Sequence, residues 1–308
     1  MRSAPVSQPV SRPRHRTVIA GRYAMLDQIG TGGMGSVWRA RDVRTGQVVA
    51  VKVLGQHSAA LLLRFVREQA VRIRHPHVVA PTGWAAEDDT VVLAMDLVTG
   101  GSVRDVLDAH GPLPVGYAAA LLEQLLQGLA AVHAAGLVHR DVKPANLLLD
   151  ATGHDRPHVR LADFGVAAPI ADARYTTVPG AIGTDGYMAP EQARGAVPDP
   201  AQDLYAVGRV GLELLTGLPP ERQGRIGSGP LRPLLERLLV TDPEQRLASA
   251  EAALRLLRRL AVPFEPGPPV LDRHPSPRQP VDWLAWSAVA ACAAIVAVCA
   301  TVAVGVLL

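Results

Sequence analysis

His139-Arg140-Asp141-Val142-Lys143-Pro144-Ala145-Asn146 is the stretch from which the rest of this 308-residue chain can be read. Two apolar runs flank it, Gly128 to Val138 before and Leu147-Leu148-Leu149 after, so it reads as a loop between a helix end and a short strand. An acid, two cations and an amide within eight residues suit a site that handles a polyanion and a metal. That reading stands only if the chain supplies the remaining parts of such a site.

Composition narrows the field. Lys+Arg number 31 against 28 Asp+Glu, a net charge of only +3, and no basic-aromatic alternation marks a nucleic-acid surface, so no nucleic-acid partner is expected. Only two of the 31 cations are lysine, Lys52 and Lys143. The arginine bias by itself signifies nothing, but a compact ammonium cannot be exchanged for a planar guanidinium where a point charge must reach a phosphate. Both lysines fall in candidate site motifs, which favours function over bias. Cys292 and Cys299 lie in an apolar C-terminal segment and form neither a disulfide framework nor a metal-ligand spacing, as in a reducing cytoplasm.

Upstream of the loop, Met25 to Ile29 reads as a strand leading into Gly30-Thr31-Gly32-Gly33-Met34-Gly35-Ser36-Val37, and Trp38 to Ala40 continues as a strand. A Gly-x-Gly-x-x-Gly string alone is weak, but here it joins two strands, whereas the dinucleotide-binding version opens a helix. Val48 to Val53 gives the next strand and carries Lys52. Ala59 to Arg74 has helical spacing, with Glu68 as its one acid. Val91 to Met95 is an apolar strand followed by Asp96-Leu97-Val98 and Thr99-Gly100-Gly101-Ser102. Tyr117 to Ala135 is a long helix ending at Gly136, a residue suited to close it. Downstream, Val159 to Ala162 is a strand into Asp163-Phe164-Gly165, 22 residues beyond Asp141.

In this order and spacing the motifs resemble the protein kinases, over about Tyr23 to Leu260, and specifically the bacterial transmembrane Ser/Thr kinases of actinobacterial type. The resemblance implies an α+β, two-lobed fold: a β-rich N-lobe, a helical C-lobe and a C-terminal transmembrane helix. It implies transfer of the γ-phosphate of ATP, with Mg2+ (Mn2+ as the alternative), to Ser/Thr hydroxyls of protein substrates, including the kinase itself. Asp141 would accept the hydroxyl proton, Lys143 and Lys52 would neutralise phosphate charge, and Asn146 and Asp163 would hold the metal. The nucleotide would lie against Ile29, Gly30, Gly32, Gly35, Val37 and Ala50. Met95 would back the pocket, Asp96 and Val98 would offer backbone groups to adenine, and Ser102 would lie near the ribose. Glu68 would pair with Lys52, although the run from Glu68 to His75 is about two residues shorter than in relatives, about 200° of helical turn. Thr176 and Thr177 occupy the phosphorylated region of the activation segment, closed by Met188-Ala189-Pro190-Glu191. Thr184 and Lys143 are the Ser/Thr-selective choices. Asp203 looks like the brace of the catalytic loop, and Arg246 like the partner of Glu191. The interval from Gly217 to Asp242 is shorter than in the family, with Gly224 to Pro230 a glycine-rich loop, so a C-lobe helix is expected to be reduced.

The domain reading is a disordered basic tail over 1–20, an N-lobe over 21–98, a C-lobe over 99–262, a Pro-rich semi-rigid linker over 263–282 and a transmembrane helix over 283–308. Trp283 to Leu308 is uncharged and about 25 residues long, enough to cross a bilayer, with Trp283 and Trp286 placed as interfacial aromatics. The segment would contact membrane lipid and make the protein a single-pass protein of the cell membrane. The N-terminal tail lacks the apolar core of a secretory signal, so the kinase domain is expected on the cytoplasmic side. Ala293, Ala297, Thr301 and Gly305 form a small-residue ladder that would suit a homodimer. Two alternatives stay open: a membrane-anchored pseudokinase that scaffolds with bound nucleotide, and a small-molecule kinase of similar fold. Intact Lys52, Asp141, Asn146 and Asp163 weigh against the first, and Ala189-Pro190-Glu191 with Thr184 against the second.

Overall fold

A computed structural model describes residues 17–32, 35–54, 73–87, 90–163, 168–169 and 186–275. Glu68, Thr176, Thr177, Thr184, residues 1–16 of the N-terminal tail and the Trp283–Leu308 segment lie outside the described residues. The end of the tail is not disordered as expected, because Val18 and Ile19 pair with Ala24 and Tyr23 as an edge strand. The chain divides after Arg273, and every element named below belongs to the first unit.

Six antiparallel strands form the first layer: β1 (Val18–Ile19), β2 (Tyr23–Gly32), β3 (Gly35–Asp42), β4 (Val48–Leu54), β5 (Pro81–Glu87) and β6 (Thr90–Met95), in the order β1-β2-β3-β4-β6-β5. β4 is rich in β-branched residues and has a hydrogen-bonded neighbour on each side, so neither of its edges is open. Successive side chains alternate between faces. Val49, Val51 and Val53 pack with Tyr23, Met25, Ala40, Val92 and Ala94, while Ala50, Lys52 and Leu54 share the opposite face. The register sets Val37 and Leu93 beside Lys52, and Met95 beside Ala50, so all five lie on that face.

The second layer is helical. Helix α1 (Val103–His110) begins at Ser102, whose hydroxyl accepts from the Asp105 amide while Asp105 takes the Ser102 amide, a reciprocal cap. Helix α2 (Val115–Ala134) is the core of the domain and is apolar on nearly every side. Among the described residues it is the one helix long and apolar enough to cross a membrane, but it is largely buried against its neighbours. It starts two residues before the expected Tyr117, directly after Pro114, which fixes φ for the first turn but offers no capping side chain. Strand β7 (Leu137–Val138), a single-turn 3₁₀ segment (Pro144–Asn146), and the pair β8 (Leu147–Leu149) and β9 (Val159–Leu161) carry the opening stretch. The helix therefore does not run into the loop as expected; β7 intervenes and pairs with β10 (Ala168–Pro169). Helices α3 (Pro190–Ala193), α4 (Pro200–Thr216), α5 (Arg232–Leu238) and α6 (Ala250–Arg259) complete the unit.

The Pro-rich segment departs from its reading as a linker over its first part. Pro263 to Arg273 lies packed along the helical layer, and Val270 is buried and exchanges both backbone hydrogen bonds with Gly153 at 2.8 Å. Its few apolar residues suffice because the backbone, not a hydrophobic face, makes the contacts.

Candidate active site

The site is built between the sheet and the helical layer, on segments anchored at both ends. The catalytic-type loop leaves β7 and enters β8 through the 3₁₀ turn, and its backbone is fastened from below by Asp203 of α4, a wholly buried carboxylate. Asp203 accepts the His139 amide and the Arg140 amide, each at 2.8 Å, and His133 Nε2 of α2 lies 2.8 Å from the same carboxylate. Arg140 reaches this geometry in the left-handed region at φ 67°, unusual for a residue with a Cβ. Burial pushes the Asp203 carboxyl up, but the hydrogen bond from His133, the fields of His133 and His139 and the His139 amide outweigh it, leaving the group below the ordinary carboxylate range.

His139 closes the other side. Its Nδ1 takes the Asp141 amide at 3.3 Å, so Nε2 carries the hydrogen and donates to the Ala162 carbonyl at 3.1 Å. The loop is thus tied to the residue just before Asp163. The amide of Ala162 in turn donates to the Asn146 carbonyl at 2.9 Å, which brings the loop's amide residue beside the Asp163 strand end.

Within that frame the expected polar residues converge. Asn146 Nδ2 donates to the Asp141 carbonyl at 2.7 Å and to its carboxylate Oδ2 at 2.9 Å. Lys143 Nζ sits 2.9 Å from the same Oδ2. Lys52, nearly buried on β4, reaches Asp163 Oδ1 at 2.5 Å across 111 residues of sequence. Asp163 is a second non-glycine in the left-handed region, at φ 68°. Two such residues in one site are held by surrounding hydrogen bonds at a cost of about 1 kcal/mol or more each. The two lysines of the chain thus each pair with a carboxylate of the site.

Asn146, whose amide nitrogen is spent on Asp141, would offer oxygen to a cation, and Asp163 adds a carboxylate. Such a hard, oxygen-only donor pair suits Mg2+, which keeps several waters and takes few protein ligands beside phosphates. Among the described residues no cluster of three or more His, Cys, Asp or Glu offers a competing metal site.

The nucleotide-side residues fall into two groups. Ile29, Gly30, Gly32, Gly35 and Val37 lie on the β2–β3 hairpin, whose register pairs Gly32 with Gly35 and Gly30 with Val37. At Gly35, with φ 139°, a Cβ would sit 1.9 Å from the Val53 carbonyl oxygen, so only glycine fits where the hairpin closes on β4. Ala50 and Met95 are cross-strand neighbours. Val98 is buried against Val79 and Ala162, which seats the chain leaving β6 on the residue before Asp163. Asp96 spends its side chain on Arg160 at 2.7 Å, so any role it has toward a base falls to its backbone. Ser102 spends its hydroxyl hydrogen on Asp105 Oδ2 at 2.5 Å.

Farther down, Arg246 makes a two-pronged contact with Glu191 at 2.7 and 3.1 Å and also donates to the Ala201 and Val240 carbonyls. Reading the sequence missed three supports. His133 carried no signal beyond its place on a helix. A buried group of Arg104, Glu213 and Tyr187 joins α1, α4 and the segment before α3, and burial followed by the Glu213 contact pushes the Tyr187 phenol far up. The third is the Pro263–Arg273 segment.

One family model and three relatives are similar to this chain. A family model described as "Protein kinase domain" matches residues 23–228. The chain is 36% identical over 276 residues to serine/threonine-protein kinase PkaA of Streptomyces coelicolor, covering 79% of this chain and 50% of the relative. It is 36% identical over 296 residues to serine/threonine-protein kinase PknA of Mycobacterium tuberculosis, covering 83% and 67%. To PknL, also named a serine/threonine-protein kinase of M. tuberculosis, it is 38% identical over 213 residues, covering 68% and 52%. The chain thus spans about half the length of PkaA and PknL.

Proposed function

The chain belongs to the protein kinase family, and from that premise we propose that it is a serine/threonine protein kinase that transfers the γ-phosphate of MgATP to protein hydroxyls. The observation that carries this is the convergence of Lys143 and Asn146 on the Asp141 carboxylate, with Lys52 and Asp163 joined beside them.

Each residue has a task its geometry suits. Lys143 and Asn146 fix the Asp141 carboxylate by hydrogen bonds on Oδ2, so it points in one direction. A substrate hydroxyl hydrogen-bonded to Asp141 is oriented for in-line attack, and its proton passes to that carboxylate as the new O–P bond forms and the bond from the γ-phosphorus to the bridging oxygen breaks, releasing ADP. Lys143 remains within reach of the negative charge on the transferring group. Lys52, a compact cation on a rigid central strand, meets the phosphates nearer the base. Mg2+, when bound by Asn146 and Asp163, neutralises charge on the terminal phosphates. Mn2+ meets the same oxygen donors.

The proposal extends to the parts outside the described residues. Trp283 to Leu308 anchors the protein as a single-pass membrane protein, with the catalytic unit on the cytoplasmic side and a homodimer as the assembly that the small-residue ladder suits. Thr176 and Thr177 are the sites of autophosphorylation, beside Arg174. Glu68 is the second partner of Lys52.

The deciding experiment is transfer from labelled MgATP to a generic Ser/Thr protein acceptor by the full chain in detergent. Wild type labels the acceptor and itself, with label on Thr176 or Thr177 by mass spectrometry. Asp163→Ala remains folded and labels neither. Sustained labelling by Asp163→Ala refutes the assignment, and a chain ended at Asp282 that stays with the membrane fraction refutes the anchor.

A further inference from the structure

The segment after the last helix is a strap that ends at the nucleotide side of the site. Ala261, at φ 48°, turns the chain back from α6. Glu265 Oε2 then accepts the Gly116 amide at 3.2 Å, capping α2 from 149 residues away where Pro114 has no side chain to do so. A Cβ on Gly116 would lie 2.2 Å from the Pro263 carbonyl oxygen, so the strap crosses the first turn of α2 in contact with its backbone. Tyr117 donates to the Pro268 carbonyl at 3.3 Å, and Gly267 lies on its ring.

From there the strap follows the chain that leaves β6. Val270 seats against Gly100, where a Cβ would be 2.4 Å from Val270 Cγ1. The Arg273 amide donates to the Thr99 carbonyl at 2.8 Å, and its side chain packs so closely on Gly101 that a Cβ there would lie 2.9 Å from Arg273 Nε. On the other side, Gly100 and Gly101 exchange backbone hydrogen bonds with Leu149 of β8 at 2.8 Å. The segment Thr99–Gly101 is therefore gripped between the strap and the strand that follows Asn146.

Arg273 also acts on a side chain. Its Nη1 is 2.9 Å from Asp105 Oδ1, while Asp105 Oδ2 receives the Ser102 amide at 2.7 Å and the Ser102 hydroxyl at 2.5 Å. Ser102 Oγ also accepts the Asp105 amide at 3.2 Å. With its hydrogen spent on Asp105, Ser102 Oγ has only acceptor capacity left for a ligand.

We propose that the Pro263–Arg273 strap is a wall of the nucleotide site, and that Arg273 is a positioning residue which, through Asp105, sets Ser102 as the acceptor for a ribose hydroxyl. This rests on the nucleotide-binding reading above. Its consequence is that the C-terminal segment, Trp283–Leu308, begins ten positions after Arg273 in sequence. Displacing the strap loosens the nucleotide, and a bound nucleotide holds the strap down by the same factor.

The test is equilibrium binding of ATP and of 2′,3′-dideoxy-ATP to the full chain, wild type against Arg273→Ala and Arg273→Lys. Arg273→Ala weakens ATP about fivefold, as expected for a half-exposed ion pair, and leaves dideoxy-ATP unchanged, because that ligand has no ribose hydroxyl to lose. Arg273→Lys recovers part of the loss. The melting temperature stays at the wild-type value. Equal losses for both nucleotides, or no loss for ATP, overturn the inference. A wild type that binds ATP but never transfers phosphate sinks the transferase reading while the two-nucleotide ratio still decides the strap. A wild type that binds neither nucleotide overturns both.

Discussion

Replacing Asp203 by asparagine removes one charge and turns one acceptor into a donor, with almost no change of volume. The Asp203 Oδ1 holds the Arg140 amide, and Oδ2 holds the His139 amide and faces His133 Nε2. An asparagine with its nitrogen on the Oδ1 side sets two donors face to face and leaves the Arg140 amide unmatched in a wholly buried place, at about 1–3 kcal/mol. The two contacts on the other oxygen fall from charge-assisted to neutral strength, about 1 kcal/mol each. Turning the amide over transfers the clash to His139, where two contacts are at stake instead of one. The sum is about 3–5 kcal/mol, a fall in melting temperature of roughly 10 °C for a domain of this size. The loop that carries Asp141 shifts with its anchor, and a misplacement near 1 Å costs about a hundredfold in turnover. Calorimetry and single-turnover phosphoryl transfer on the purified full chain measure the two effects. A variant that melts with wild type and retains its turnover would falsify the view that Asp203 fixes the loop.

Three further perturbations separate the parts of the structure. Lys52→Arg keeps the charge but forces a planar guanidinium into a nearly buried place on β4, and turnover is expected to fall about a hundredfold with the fold intact; turnover within twofold of wild type would show that the compact ammonium is not required. Glu265→Ala removes the distant cap of α2 and lowers stability by about 1 kcal/mol, and an unchanged melting temperature refutes the capping role. His77, buried beside His75, His158 and Arg160, donates from Nδ1 to the Val159 carbonyl at 2.8 Å, and burial holds its pKa below the ordinary 6.5. The unfolded chain therefore binds more protons below about pH 6.5, so stability is full above that value and falls as the pH drops through the window beneath it. His77→Asn keeps a donor but cannot titrate, and it flattens that acid limb; a limb of unchanged slope assigns the effect elsewhere, His75 being next in line because burial lowers it as well.

What was legible in the sequence was legible because chemistry fixes residue type. A site for phosphate and a hard cation would need a compact ammonium and oxygen donors, so Lys52, Lys143, Asn146 and Asp163 stand out in a chain whose other Lys/Arg cations are all arginine, and the structure brings them together. Strand patterns in β4 and β6 read correctly because burial on both faces leaves a run that is apolar throughout β6 from Val91 and broken in β4 only by Lys52. The strap did not read correctly. Pro263 to Arg273 has the composition of a linker, and its docking depends on glycines elsewhere, at 100, 101 and 116, that leave room for its backbone. No local window contains both halves of that fit. β7 was missed for a different reason, since two residues give no period to detect. His133 and Tyr187 escaped because one helix position or one loop tyrosine looks alike whether or not a buried carboxylate waits opposite.

The stretch after Gly217 is expected to bear on substrate choice rather than on the chemistry, for a structural reason. Between α4 and α5 the described residues hold only a 3₁₀ turn, Pro220–Arg222. α5 instead packs directly on α4, where Gly208 and Gly211 face Leu239 and Leu235 so closely that a Cβ at either would come within 2.8 Å of a leucine carbon. Arg209 ties the turn down, donating to the Gly186 carbonyl at 3.1 Å and the Pro220 carbonyl at 2.6 Å. The brace of the catalytic loop comes from elsewhere, from Asp203 in the first turn of α4. It does not pass through the stretch after Gly217, which touches only the Arg246–Glu191 pair, by way of the Val240 and Thr241 carbonyls at its far end. Lengthening the Gly224–Pro230 loop should therefore change which protein acceptors are labelled while the rate on a short peptide holds, and a matching loss on both would show that the stretch supports the site itself.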